Sequence, residues 1–118
     1  MNHLSKLLFL GLLLLAEVSF AQNNQDAIVG TWDANERKVE IYKSGERFIG
    51  NPIGPDGKRM DKVEILNLEY KDGKWVGKLY AEKRDRLLEV VCEVKDNKLF
   101  LDVDGGVVSK KAEWTRIN

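Results

Sequence analysis

From Val29 to Ile117 the chain alternates apolar and polar residues in eight short segments, each cut off by a turn rich in Gly, Asp, Asn or Lys. Alternation with a period of two marks a half-buried strand, and no stretch carries the three-and-four spacing of an amphipathic helix. The connections Ser44-Gly45, Asp72-Gly73, Asp96-Asn97 and Gly105-Gly106 are hairpin turns, so neighbouring strands run antiparallel. Eight such strands leave two exposed edges unless the first meets the last. The expected fold is therefore all-β: an eight-stranded antiparallel up-and-down β-barrel.

The segments run over Val29–Asp33, Arg37–Lys43, Glu46–Asn51, Val63–Tyr70, Trp75–Ala81, Arg86–Val94, Leu99–Val103 and Val107–Ile117. Apolar parity changes between Ile65 and Leu66, which predicts a β-bulge. Pro52 to Asp61 holds both prolines, shows no alternation and is the longest irregular stretch, which makes it the expected mobile loop and lid. Trp32 near the start and Arg116 near the end are expected to meet at the seam, with the guanidinium over the indole.

Residues 1–21 read as an export signal: Lys6 in the basic region, an apolar run from Leu7 to Ala16, and Ser19-Phe20-Ala21 as the cleavage site. The run is short of the roughly 20 residues that a membrane-spanning helix requires. Residues 22–118 are then one exported barrel domain, periplasmic or extracellular in a bacterium, with no membrane insertion after cleavage. Cleavage removes one base (Lys6), one acid (Glu17) and the only histidine (His3), so the net charge stays at zero. Charges interleave along the strands, which argues against nucleic acid or a polybasic membrane surface as partner.

Little catalytic equipment remains. Without imidazole, Ser44, Ser109 and the single cysteine, Cys92, lack the usual activating base. Cys92 lies on the apolar face of its segment and reads as a buried, inert thiol. Asp102 and Asp104 beside Gly105-Gly106 are too few for a calcium loop. No enzyme activity, metal or other cofactor is expected.

The blocks Ile28-Val29-Gly30-Thr31-Trp32, Val39-Glu40-Ile41-Tyr42, Pro55-Asp56-Gly57-Lys58, Asp72-Gly73-Lys74-Trp75 and Glu113-Trp114-Thr115-Arg116, in this order, resemble those of the DUF2147 family of small exported bacterial proteins. The resemblance implies a lipocalin- or calycin-like barrel and export, and supplies no catalytic residues. Family members typically have a longer stretch between strands three and four. They also carry an Asp-Pro-x-Asn-Gly-Lys-like turn after strand five, where this chain has Ala81-Glu82-Lys83-Arg84-Asp85.

Parity turns Trp32, Phe48, Trp75 and Trp114 inward with Val39, Ile41, Leu79, Val90, Cys92 and Ala112, and Gly77 is expected to leave space beside Trp75. Two functions are consistent with this interior. One is a noncatalytic carrier or sensor of a small apolar molecule, bound by Trp32, Phe48, Trp75, Gly77, Leu79, Cys92 and Trp114 beneath a lid at Pro52–Asp61. The other is a filled barrel serving as an envelope interaction module through an outer patch of Leu87, Val91 and Phe100.

Overall fold

A computed structural model describes residues 24–118. The expected export signal lies outside the described residues. A 3₁₀ turn, Asn24–Ile28, leads into eight strands: β1 (Gly30–Asp33), β2 (Lys38–Ser44), β3 (Arg47–Pro52), β4 (Leu66–Lys71), β5 (Lys74–Ala81), β6 (Arg86–Lys95), β7 (Lys98–Asp104) and β8 (Ser109–Arg116). Each is antiparallel to the next, and β1 pairs with β8 to close the barrel. The all-β up-and-down architecture is the one that the alternation predicts.

Because the strands run up and down, their connections sort to two ends. The turns after β2, β4 and β6 share one end with the 3₁₀ turn and the C-terminus. The turns after β1, β5 and β7 share the other with the long β3–β4 loop. The first end is filled. Ile28, Trp32, Phe48, Leu68, Cys92 and Leu99 are fully buried there, and Trp75 and Trp114 nearly so. Phe48 meets Trp75 edge-on at 6.5 Å between ring centroids. The 3₁₀ turn plugs this end through its carbonyls, since Trp32 Nε1 donates to Ile28 O (2.9 Å) and Trp75 Nε1 to Gln25 O (3.1 Å).

The seam is short. Only Trp32 with Arg116 and Asp33 with Thr115 are register partners, supplemented by amide bonds from Thr31 to Asn118 O and from Ile117 to Thr31 O, both 2.8 Å. The Arg116 guanidinium lies 4.3 Å from the centroid of the Trp32 ring and donates to the carbonyls of Val29 (2.9 Å) and Ala27. One side chain thus joins the last strand, the first strand and the plug. Gly30 makes room for it: its φ of 146° is open to glycine, and a Cβ there would stand 2.5 Å from Arg116 Nη1.

Three local expectations change. Val63 and Glu64 precede β4 rather than starting it, while Ile65 and Leu66 both point inward. Ile65 N donates to Gly50 O (2.8 Å) although Gly50 is the register partner of Leu66, so two residues answer one, as in a bulge. Val107 and Val108 belong to the β7–β8 turn, not to β8. The turn takes them because Gly106 has φ 96° and donates to Asp104 Oδ1, and Gly105 N bonds Val108 O.

The segment expected to be a lid is clasped to the outer wall. Gly54 N bonds Lys58 O, Met60 N bonds Pro52 O, and Arg59 sits 3.9 Å from the centroid of the Tyr42 ring while pairing with Glu40 and Asp61. Tyr42 and Glu40 alternate with the buried Val39 and Ile41, so they face outward, and the loop follows them. Asn51 Nδ2 ties the loop's far arm by donating to Val63 O at 2.6 Å.

Breaking the seam contact is expected to lower stability by about 1–3 kcal/mol in Arg116→Ala and in Trp32→Phe. Chemical denaturation of both single variants and the double variant measures it. The double variant should lose less than the sum, whereas strict additivity would show the two side chains to be energetically independent.

Candidate functional site

The wall opens where β1 stops. The carboxylate of Asp33 accepts the amide of Asn35 (2.9 Å), Asn35 adopts φ 75°, and Ala34 N bonds Arg37 O, so the chain turns after a four-residue strand. β8 is twice as long. Its residues from Ser109 to Trp114 pair with β7 on one side and have no strand partner on the other. Between this edge and the β1–β2 turn lies a recess of about 360 Å³.

Its floor is apolar, formed by Leu79, Ala81, Leu88, Val103 and Ala112. Leu79 and Leu88 face each other across β5 and β6, while Val103 stands opposite Lys110 and Ala112 opposite Leu101 across β7 and β8. Ala112 has the inward parity expected of it, yet it is exposed, because the missing partner strand leaves it uncovered.

The rim is polar and laced together. Arg37 pairs with Glu82 at 2.6 Å, connecting the β1–β2 turn to the β5–β6 turn. Arg84 Nη1 donates to Gly105 O at 3.2 Å, connecting that turn to the β7–β8 turn. Tyr80 donates its hydroxyl to the Asp85 carboxylate, and that hydrogen bond, ahead of desolvation, raises the phenol's pKa above its ordinary value. Single contacts at such exposure contribute only ~0.2–1 kcal/mol each. Their value is geometric, since they hold three separate turns around one opening.

Of the residues expected to bind a ligand, only Leu79 lines this recess. Trp32, Phe48, Trp75, Cys92 and Trp114 are packed into the filled end, with Cys92 directly across the ladder from Trp75. Gly77 leaves no free space. A Cβ there would lie 2.0 Å from Asn67 O and 2.9 Å from Leu68 Cα, so the missing side chain lets the β4 backbone close in. The residues that sequence reasoning missed are Leu88 and Val103 on the floor and the rim bases. Lys110 was legible by parity, because it shares a face with Ala112 and Trp114.

Among the described residues no three His, Cys, Asp or Glu side chains gather where a metal ion could be held. Ser44 and Ser109 are exposed. Burial alone pushes the Cys92 thiol up to about 12 from its ordinary 9.0, so the sulfur stays protonated and weakly nucleophilic. No family model, curated protein or solved structure matches the chain.

Two outcomes follow from these placements. Gly77→Ala is expected to destabilise the protein by about 3 kcal/mol, the upper range for overpacking, because the new methyl meets backbone rather than a movable side chain; thermal unfolding measures this, and an unchanged midpoint would mean that β4 can yield. Cys92 should resist a bulky thiol reagent in the native state and label on unfolding. Its linkage has a definite sign: the folded thiol keeps its proton while the unfolded one ionises above 9.0. Wild-type stability relative to Cys92→Ala should therefore be level below pH 9 and fall by about 1.4 kcal/mol per pH unit between 9 and 12.

Proposed function

We propose that the protein is a noncatalytic, exported carrier or sensor of a small apolar molecule, held in the recess at the open end of the barrel. The observation that carries this reading is the division of the interior. One end is packed with aromatic rings and plugged by the 3₁₀ turn, whereas the other keeps an apolar floor under an opening of about 360 Å³. That volume lies within the ~300–1,000 Å³ range of small-molecule sites. Burying an apolar chain on such a floor contributes roughly 0.8 kcal/mol per methylene.

The resemblance to the DUF2147 family belongs to the same proposal and supplies its setting, the periplasm or exterior of a bacterium. The charged outer wall, with Lys74–Glu93 at 2.9 Å and Lys78–Glu89 at 3.5 Å, is the inverse of a membrane-spanning barrel, whose outer band is apolar. Those ion pairs also speak against the interaction-module reading. Lys74 and Glu93 share the wall around Val91 and Phe100, which line one outer depression of about 310 Å³, and Leu87 is not part of it.

A neutral apolar dye such as N-phenyl-1-naphthylamine, added to the purified protein, tests the proposal. Its fluorescence should rise on binding, and Ala112→Trp should lower its affinity at least tenfold by filling the recess. Position 112 is exposed, so the change leaves the aromatic core intact. Intrinsic fluorescence should report the same event through Trp114, two residues along the same face, and should persist in Trp75→Phe. A dye that does not bind, or that binds Ala112→Trp equally well, would overturn the reading.

A further inference from the structure

The recess is apolar below and basic above, and this contrast specifies more than an apolar ligand. The residues that line it include five cations, Arg37, Lys83, Arg84, Lys110 and Lys111, against two carboxylates, Glu36 and Glu82, with the Asp85 carboxylate beside the rim held by Tyr80. Glu82 is committed to Arg37, while Lys83, Lys110 and Lys111 make no ion pair among the described residues. What sets these three apart is their convergence on one apolar recess, since Lys38, Lys43, Lys58, Lys62, Lys71 and Lys95 also make no ion pair among the described residues. Lys74, Lys78 and Lys98 on the outer wall each face a glutamate across the ladder.

Lys110 is the most informative of the five. It has inward parity, stands opposite Val103 and lines the recess while remaining exposed, the setting in which a lysine lays its stem on apolar surface and keeps its ammonium in water. Lys83 approaches from the β5–β6 turn, while Lys111 has outward parity opposite Asp102 and touches the recess only at the free edge of β8. Three unpaired ammonium groups beside a low-dielectric floor raise the local positive potential, which a neutral ligand leaves uncompensated. An anionic group is satisfied at this rim while staying hydrated, and the chain attached to it reaches the floor.

We infer that the ligand is an anionic amphiphile: an apolar chain ending in a carboxylate or phosphate, with the chain on Leu79, Leu88, Val103 and Ala112 and the head group among Lys83, Lys110 and Lys111. This rests on the carrier reading and adds the sign and position of the ligand's charge.

Four ligands with one chain length separate the two claims: decanoate, decyl phosphate, decanol and decyltrimethylammonium, each titrated against the purified protein as competitor of the neutral dye. Decanoate and decyl phosphate should bind at least tenfold more tightly than decanol, and decyltrimethylammonium more weakly than decanol. The preference should shrink at 0.5 M salt. In the triple variant Lys83→Gln, Lys110→Gln, Lys111→Gln the anions should come within about twofold of decanol, while decanol itself changes little; circular dichroism checks that the variant is folded. A tighter carboxylate or a tighter phosphate would each support the inference and name the head group. Equal binding of anion and alcohol, or a preference that survives the triple variant, would overturn it and leave the carrier reading standing. If no chain binds at all, both fall.

Discussion

The structure depends on a seam only two residue pairs long. Closure by so few ladder partners is weak by itself, and Arg116 compensates by reaching past the ladder to the Trp32 ring and to the carbonyls of Ala27 and Val29. Hydrogen bonds from a charged donor to otherwise open carbonyls are worth more than neutral ones, ~1.5–3 kcal/mol. The same guanidinium holds the plug, so the closed wall and the filled end share one contact. It works only because Gly30 lacks a Cβ.

The brevity that makes the seam fragile also makes the site. β1 ends at Asp33 because the aspartate side chain caps a turn onto Asn35, and β8 continues for six residues beyond its last partner. The packed end and the recess are therefore consequences of one mismatch in strand length. Lysines at positions 110 and 111 also suit a free strand edge, where charge discourages pairing with another chain. Edge protection accounts for two lysines on β8; it does not account for Lys83 and Arg84 converging on the same opening from the β5–β6 turn.

Much of the barrel was legible because period-two alternation is a local signal. Val39 and Ile41, or Val90 and Cys92, declare their face without reference to any other strand. The turns Asp72-Gly73 and Asp96-Asn97 read equally well, and Asp72, Gly73 and Asp96 adopt the positive φ that such turns require. The site was not legible, since it arises from what β8 lacks rather than from a residue. Gly77 shows the ambiguity most plainly: a missing side chain reads the same in sequence whether a ligand or a neighbouring backbone takes the space. Pro52–Asp61 looked like a lid because irregular sequence carries no sign of where a loop folds. That was decided by Arg59 stacking on Tyr42, a contact between residues far apart in the chain.

Charge interleaving misled for a related reason. A zero net charge and alternating signs describe the chain in sequence order, whereas the barrel sorts residues by face and by end. On the outer wall, Lys74, Lys78 and Lys98 meet glutamates of neighbouring strands. At the open end, turns remote in sequence contribute bases that meet few acids, so a neutral chain acquires a basic mouth. Filling the recess would have needed little, either a larger residue in place of Ala112 or two more residues of β1 to cover it. The chain has a small side chain opposite Leu101 and a turn-forming Asp33 instead, and both keep apolar surface from Leu79, Leu88 and Val103 within reach of solvent. Apolar surface left open beside unpaired lysines is a local cost to the empty barrel, and an occupant with a chain at one end and a negative charge at the other relieves both parts of it.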